Sequence, residues 1–169
     1  IFGLQSWENV LLNPATGDTT LVAANSDAGG GNVFFYVGTK QSTGNDVERA
    51  GLTNGLLYKL AVAGVTTESR TNALGTSSPS LTGTFTLTTG TGTGFLRPED
   101  GAWDPSNPND YYFVTTDQID NVQDGNGSTV GRSRLWKAHF TDLNNPTAGG
   151  TIEALLDGTE GGTMFDNMA

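Results

Sequence analysis

The 169-residue sequence contains no cysteine, few charged residues and no long hydrophobic run. The absence of cysteine excludes disulfides and thiolate-bound metals within this chain. No stretch approaches the ~20 consecutive apolar residues of a membrane-spanning helix, so we expect no membrane span. Lysine and arginine together number 8, against 18 aspartates and glutamates, and the net charge is −10. This excess of negative charge argues against nucleic acid as a partner.

The abundant residues are uncharged and polar. Thr, Asn and Ser are frequent, and 24 glycines separate short runs of aliphatic and aromatic residues. β-branched and aromatic residues fit pleated strands, whereas helices use mainly Ala, Leu, Glu and Lys. Apolar runs such as "VFFYV" and "YYFV" recur along the chain, which counts against disorder. The composition therefore predicts an all-β protein that is rich in turns.

Turns of Gly, Asn, Asp and Pro divide the chain into nine predicted strands. The strands are SWENVLL, TTLVAAN, NVFFYVGT, GLLYKLAV, GTFTLTT, PEDGAW, YYFVTTD, SRLWKAHF and TIEALLD. The first four form one unit and the last four form a second. GTFTLTT lies in a Thr/Gly-rich stretch between the units, where we expect an edge hairpin outside the repeat.

The two units begin alike. Each starts with an acid followed by Asn or Asp, at the same distance before a proline, and the pair recurs once more near the end of the chain: Glu8-Asn9, Glu99-Asp100 and Asp166-Asn167. Repeated four-stranded antiparallel units are typical of a β-propeller. We therefore predict two four-stranded blades, at 1–64 and 95–163, an insertion at 65–94, and the first strand of a third blade at 164–169.

This architecture carries two further expectations. The repeat is longer than the ~40–50 residues of compact blades, and polar loops can account for the difference; a β-sandwich with irregular loops is the alternative. Two blades cannot close a ring, because repeats bury their faces only against neighbours. The chain begins with Ile rather than Met, so we expect a processed or partial chain of a larger propeller. Its remaining blades would come from the same chain or another.

The repeated acids predict a cation site. The innermost strand of each propeller blade lines a central channel, so equivalent strand starts face the same space. Converging carboxylates repel one another unless a cation holds them, and Ca²⁺ accepts six to eight oxygen ligands. The predicted metal ligands are Glu8, Glu99, Asp100, Asp166 and Asn167. The alternative is that each acid only caps a turn.

Arg97 lies two residues before Glu99 and is held by the intervening Pro98. Its planar guanidinium suits a phosphate or a carboxylate. Arg97 is therefore a candidate for binding such an anionic group. An ion pair with Glu99 or Asp100 is the alternative.

Several motifs are distributed over most of the chain. They are YVGTK, TGNDVERAGLTNGLLYKL, RPEDGAWDP followed by YYFVTT, GRSRLWKAHF, NPTAGGTIEALLDG and MFDN. In combination they resemble the bacterial PhoX-type alkaline phosphatase family. The resemblance implies a periplasmic or extracellular propeller that hydrolyses phosphate esters with calcium and iron in its channel. It also implies that Glu99 is the metal-binding Glu of an Arg-Pro-Glu motif, and that Glu8 and Asp166-Asn167 match the family's earlier and later acidic strand starts.

The sequence departs from the family at one position. The family's earlier acid lies in a Cys-Glu segment, whereas this chain has Trp7 before Glu8. An iron centre bridged by a cysteine would lack its thiolate here, but calcium needs only carboxylates. Two functions follow. One is a metal-dependent phosphoesterase acting on a small phosphate ester, in which Arg97 would be the catalytic residue that neutralises developing charge. The other is a non-catalytic, calcium-stabilised extracellular propeller of a surface layer or filament.

Overall fold

The computed structural model describes residues 2–75, 77–78, 80–117, 133–160, 162 and 164–168. Eleven strands lie in these ranges: β1 (Trp7–Leu12), β2 (Thr19–Ser26), β3 (Gly29–Gly31), β4 (Val33–Thr39), β5 (Leu56–Val62), β6 (Thr82–Thr88), β7 (Phe95–Leu96), β8 (Pro98–Trp103), β9 (Asp110–Thr115), β10 (Arg134–Phe140) and β11 (Gly150–Leu156). A four-residue helix, α1 (Asp46–Arg49), and a 3₁₀ helix (Pro146–Ala148) complete the described elements. No helix in these ranges is long and apolar enough to cross a membrane. The predicted all-β class is confirmed.

Nine strands form one antiparallel sheet in the order β1-β2-β4-β5-β6-β11-β10-β9-β8, and β3 pairs with β7 separately. The first strand group, β1, β2, β4 and β5, corresponds to the first predicted unit. The second strand group, β8 to β11, corresponds to the second. β6 pairs with β5 on one side and β11 on the other, and so joins the outer strands of the two groups. This order is consistent with neighbouring propeller blades.

The structure differs from the prediction in the stretch between the units. GTFTLTT was expected in an edge hairpin outside the repeat, but it forms a single internal strand, β6. Phe85 and Leu87 on one face of β6 are buried, because alternate residues of a strand point to the same face. Its two backbone edges pair with β5 and β11, which makes β6 an internal strand.

The structure also differs from the prediction in two other segments. The polar loop after β4 contains α1, which Asn45 and Glu48 begin with a reciprocal capping box. The predicted third unit has no strand over 164–168; the described residues there contact Asp100, whose N–H donates to Asp166 O at 3.2 Å. The polar loop between β9 and β10 lies largely outside the described residues.

An aromatic core joins the two strand groups. Phe35 of β4 is fully buried and packs edge-to-face on Trp103, Tyr111 and Phe140, with ring centroids 6.1, 5.6 and 5.1 Å away. These partners lie on β8, β9 and β10 of the second group. Aromatic pairs of this geometry contribute about 0.5–1.5 kcal/mol each beyond their buried area. The core therefore sets the orientation of one group relative to the other.

The first strands of the two groups, β1 and β8, lie side by side. Side chains rather than a backbone ladder connect them: Trp103 Nε1 donates to Leu11 O at 3.0 Å, and Asn9 Nδ2 donates to Asp100 Oδ1 at 2.5 Å. Gly101 makes room for the core behind β8, because a Cβ there would lie 2.3 Å from the Tyr111 hydroxyl oxygen. The starts of β1 and β8 consequently meet at one end of the sheet.

Candidate metal site and neighbouring arginine

Three carboxylates converge at this end of the sheet. Glu8, Glu99 and Asp166 each offer one oxygen, and these oxygens all lie within 4.8 Å of one another. Glu8 lies on β1, Glu99 on β8, and Asp166 in the irregular segment 164–168. They are the three acids that the sequence places at equivalent positions.

Local irregularities in the strands accompany both glutamates. The pairing of β1 with β2 shifts register between Trp7 and Asn9, around Glu8. The pairing of β8 with β9 shifts between Pro98 and Gly101, around Glu99. Such bulges re-aim side chains and are frequent at functional sites. The two strand starts thus share a backbone irregularity as well as an acid.

Two of the predicted ligands lie beside the three carboxylates. Asp100 Oδ1 accepts hydrogen bonds from Asn9 Nδ2 and Gly101 N–H, at 2.5 and 2.8 Å, and its Oδ2 accepts from Met168 N–H at 2.9 Å. These bonds tie together β1, β8 and the segment 164–168. Asn167 is exposed, and its amide donates to Asp166 Oδ2 at 3.3 Å.

The segment that carries Asp166 is anchored to the second strand group. Thr116 Oγ1 donates to Phe165 O at 2.5 Å, and Phe165 N–H donates to Ser133 Oγ at 3.0 Å. Ser133 Oγ in turn donates to Thr116 O at 3.0 Å. These contacts and the bonds to Asp100 hold the exposed Asp166 carboxylate near the two glutamates.

Arg97 forms two ion pairs at the edge of the site. Its Nε donates to Asp27 Oδ1 at 2.9 Å, and its Nη2 lies 2.7 Å from Glu99 Oε1. Of the two carboxylates expected as ion-pair alternatives, the structure pairs Arg97 with Glu99. Asp27 was missed by the sequence reasoning, because the repeat pattern covers only strand starts and Asp27 follows the end of β2. Its one sequence signal is an acid directly after a buried strand.

Burial and neighbouring charge shape the electrostatics of the site. Glu99 is 1% exposed, and burial raises its pKa to about 7, with Arg97 opposing the shift and Asp27 and Glu8 adding to it. The pKa of Glu8 is also raised, by desolvation and then by the Asp166 carboxylate. Glu99 Oε1 and Asn9 Oδ1 are buried and have no hydrogen-bond partner; the contact from Arg97 to Glu99 is an ion pair without hydrogen-bond geometry. A cation between these groups would offset the burial of Glu99, the repulsion between the carboxylates and the lack of hydrogen bonds to the two buried oxygens.

We expect the unfolding free energy of the chelator-treated chain to fall between about pH 5 and pH 8. The carboxyl of Glu99 has a pKa of about 7 in the folded chain against 4.5 ordinarily. The folded chain therefore binds an extra proton between these values, and this stabilisation, complete below pH 4.5, is lost as the pH rises through 7. The full shift corresponds to about 3 kcal/mol.

Urea unfolding at a series of pH values measures this slope. Glu99→Gln should reduce it, and the slope that remains should come from Glu8 and Glu68, whose pKa values burial also raises. Glu153→Gln, at a partly exposed residue of β11, should keep the full slope. A slope that Glu99→Gln leaves unchanged would show that another group is responsible.

No protein-family model matches the chain, and no curated protein matches it. Among solved structures, the chain is similar to Pseudomonas fluorescens PhoX in complex with vanadate, a transition state analogue. The TM-score is 0.60 and the sequence identity 12%, with 90% of this chain and 31% of the PhoX chain covered. At this identity the likeness shows the fold alone. The chain therefore has a PhoX-like fold and spans under a third of the length of that protein.

Proposed function

We propose that the chain is part of a metal-dependent phosphoesterase, related to the PhoX-type family, in which a cation held by Glu8, Glu99 and Asp166 acts beside Arg97. The main support for this proposal is that three carboxylate oxygens lie within 4.8 Å of one another, next to the Arg97 guanidinium. The PhoX-like fold supports the proposal, because that PhoX structure holds vanadate as a transition state analogue.

The donor set fits calcium. Ca²⁺ binds carboxylate and amide oxygens at about 2.3–2.6 Å, which accommodates oxygens up to about 5 Å apart. Glu99 Oε1 and Asn9 Oδ1 are buried oxygens without a hydrogen-bond partner, so a cation nearby would stabilise both. The set fits an iron centre bridged by a cysteine less well, because the chain has no cysteine. We therefore propose calcium.

The roles of the residues follow from their chemistry. A bound cation would polarise the phosphoryl oxygens and acidify a water molecule. Glu99 must be ionised to hold the cation, and its pKa is raised to about 7 while no cation is bound, so protons compete with the cation and its binding should strengthen as the pH rises. Arg97 meets Asp27 and Glu99 through Nε and Nη2, and its Nη1 can donate to a phosphate oxygen. Its fixed positive charge would neutralise charge that develops on that oxygen.

The proposed function implies a substrate and further propeller blades as partners. The substrate would be a small phosphate ester. Further blades, from the same chain or another, would complete the propeller, because strand groups of this kind bury their faces against neighbours. We place the protein in the periplasm or outside the cell, as the family resemblance implies.

Hydrolysis of p-nitrophenyl phosphate with Ca²⁺, and with excess chelator, tests the function. We expect hydrolysis only with Ca²⁺. Loss of a charge-stabilising group should lower kcat/KM about 100-fold, in Glu99→Gln and in Arg97→Ala alike, while Glu153→Gln should match the wild type. Activity that neither chelator nor these substitutions affect would contradict the mechanism. Calcium binding without any turnover would favour the non-catalytic extracellular propeller.

A further inference from the structure

A buried glutamate from the connecting stretch lies behind Arg97. Glu68 is 2% exposed and is distant in sequence from all the predicted site residues. Its Oε2 accepts the N–H of Leu96, the residue directly before Arg97, at 2.8 Å. Its Oε1 accepts from Arg134 Nη1 at 2.6 Å and from Thr115 Oγ1 at 3.2 Å. One carboxylate therefore contacts β7, β9 and β10 together.

Arg97 has an unusual backbone conformation. It lies between β7 and β8 with φ +59°, in the left-handed region, which costs roughly 1–2 kcal/mol for a residue other than glycine. Such conformations persist where the surroundings determine them. Arg97 O accepts Thr116 N–H at 3.1 Å, and Leu96 O accepts Asp117 N–H at 2.9 Å. Glu68 binds the remaining N–H of Leu96 and so completes the set of bonds around this turn.

The position of Glu68 is itself determined by buried contacts. Arg134, also 2% exposed, donates from Nε to Asp157 O at 3.0 Å and from Nη2 to Arg70 O at 2.6 Å. Arg70 belongs to the same connecting segment as Glu68 and pairs with Asp117 at 2.6 Å. The segment from Glu68 to Arg70 thus contacts the ends of β7 and β9 and the start of β10, which surround Arg97.

We propose that Glu68 is a positioning residue: it holds the turn at Leu96 and Arg97, and thereby directs the Arg97 guanidinium toward Asp27 and Glu99. The connecting stretch is then part of the support of the site rather than a simple insertion. The catalytic consequence rests on the proposed function, because Arg97 is the group proposed to meet the phosphate.

Hydrogen exchange of side-chain N–H groups tests the structural part without any ligand. NMR of the chelator-treated chain would follow two groups. Arg97 Nε–H donates to Asp27 Oδ1 at 2.9 Å, and Trp103 Nε1–H donates to Leu11 O at 3.0 Å.

In Glu68→Gln the single amide oxygen should stay with the charged Arg134 guanidinium, so that the Leu96 N–H loses its acceptor. We then expect exchange at Arg97 to accelerate about tenfold, the change that loss of one hydrogen bond produces. Exchange at Trp103 should stay at the wild-type rate. Acceleration at both groups, or at neither, would overturn the inference.

A second variant keeps the test valid if Glu68→Gln unfolds the chain. Glu68→Gln leaves Arg134 buried without its carboxylate, which is strongly destabilising in proteins, whereas replacing both partners of a buried ion pair by apolar residues is often neutral. Glu68→Met/Arg134→Met therefore leaves no unpaired buried charge and removes the acceptor of the Leu96 N–H. It also loses the two Arg134 hydrogen bonds to Asp157 O and Arg70 O. We expect the same selective acceleration at Arg97. A wild-type Arg97 rate in this folded variant would make Glu68 purely structural.

Orthovanadate binding in the presence of Ca²⁺ tests the link to the site. We expect Glu68→Gln to weaken binding about tenfold in the wild-type background and not at all in an Arg97→Ala background, because residues that act through one another are not additive. Equal losses in both backgrounds would overturn the inference. If the wild-type chain binds no vanadate, the proposed function fails, and the exchange rates still decide the role of Glu68.

Discussion

Saturating Ca²⁺ at pH 8 is expected to raise the melting temperature of the chain by about 5–10 °C, and Glu99→Gln is expected to abolish this rise. A ligand at 100 times its dissociation constant stabilises the folded state by about 2.7 kcal/mol. For a chain of this size, 1 kcal/mol corresponds to about 2–4 °C. At pH 8 the carboxyl of Glu99, with its pKa of about 7, is mostly ionised, so a cation relieves both its burial and its repulsion by Glu8.

Without calcium, the order of the melting temperatures of Glu99→Gln and the wild type should be reversed. Glu99→Gln eliminates a buried charge that the folded chain disfavours at pH 8. In the presence of chelator, the variant should therefore have a higher melting temperature than the wild type. With calcium the order should invert, because the wild type alone gains from the ion. Glu153→Gln is the matched control: it breaks only a partly exposed ion pair with Lys137, which contributes little, and it should show the full calcium effect of the wild type. A calcium effect of full size in Glu99→Gln would place the ion elsewhere in the chain.

Phe35→Ala is expected to lower the unfolding free energy by about 3–5 kcal/mol, the usual cost of a large buried aromatic, and also to weaken calcium binding. Phe35 is fully buried and carries edge-to-face contacts from the first strand group to three strands of the second. Glu8 belongs to the first group and Glu99 to the second, so their approach depends on how the groups pack. Urea unfolding and a calcium titration of the folded variant measure the two effects.

Phe85→Ala is the matched control for this experiment. Phe85 of β6 is 2% exposed and packs edge-to-face on Phe140, with ring centroids 5.2 Å apart. It should cost a similar free energy of unfolding, but it lies on the bridging strand, away from β1 and β8. Calcium affinity should therefore survive in folded Phe85→Ala and fall in folded Phe35→Ala. Equal affinities would mean that the aromatic contacts of Phe35 do not set the geometry of the site.

The strands were predictable wherever a local pattern of apolar residues recurs. The nine strands predicted in the two units and the stretch between them are present, as in β9, where Tyr111 and Phe113 face the core together. The strand predicted at 164–169 is absent over the described residues 164–168. β3 and β7 escaped prediction because they have three and two residues, too few to show an alternation. Their existence depends on pairing with each other across the fold, which no local pattern encodes.

The neighbours of a strand were less predictable than the strand itself. The alternation of Phe85 and Leu87 with threonines indicates a strand in the connecting stretch. Its place between β5 and β11 is a matter of long-range backbone pairing, and many strands could satisfy the same alternation. The prediction of an edge hairpin was therefore wrong in arrangement, although the strand was recognised.

The sequence by itself determined the all-β class, the places of nine strands and the repeated acids at the starts of β1 and β8, because periodicity and turn chemistry are local properties of the chain. Only the tertiary structure decided which polar groups meet. It brings Glu8, Glu99 and Asp166 within 4.8 Å of one another, and it gives Asp100 hydrogen bonds to Asn9 and Met168. It also adds Asp27 and Glu68, which come from connecting segments without a counterpart in the repeat. The physical reason is that strand packing and bulges set the direction of each side chain, and both depend on contacts between residues far apart in sequence.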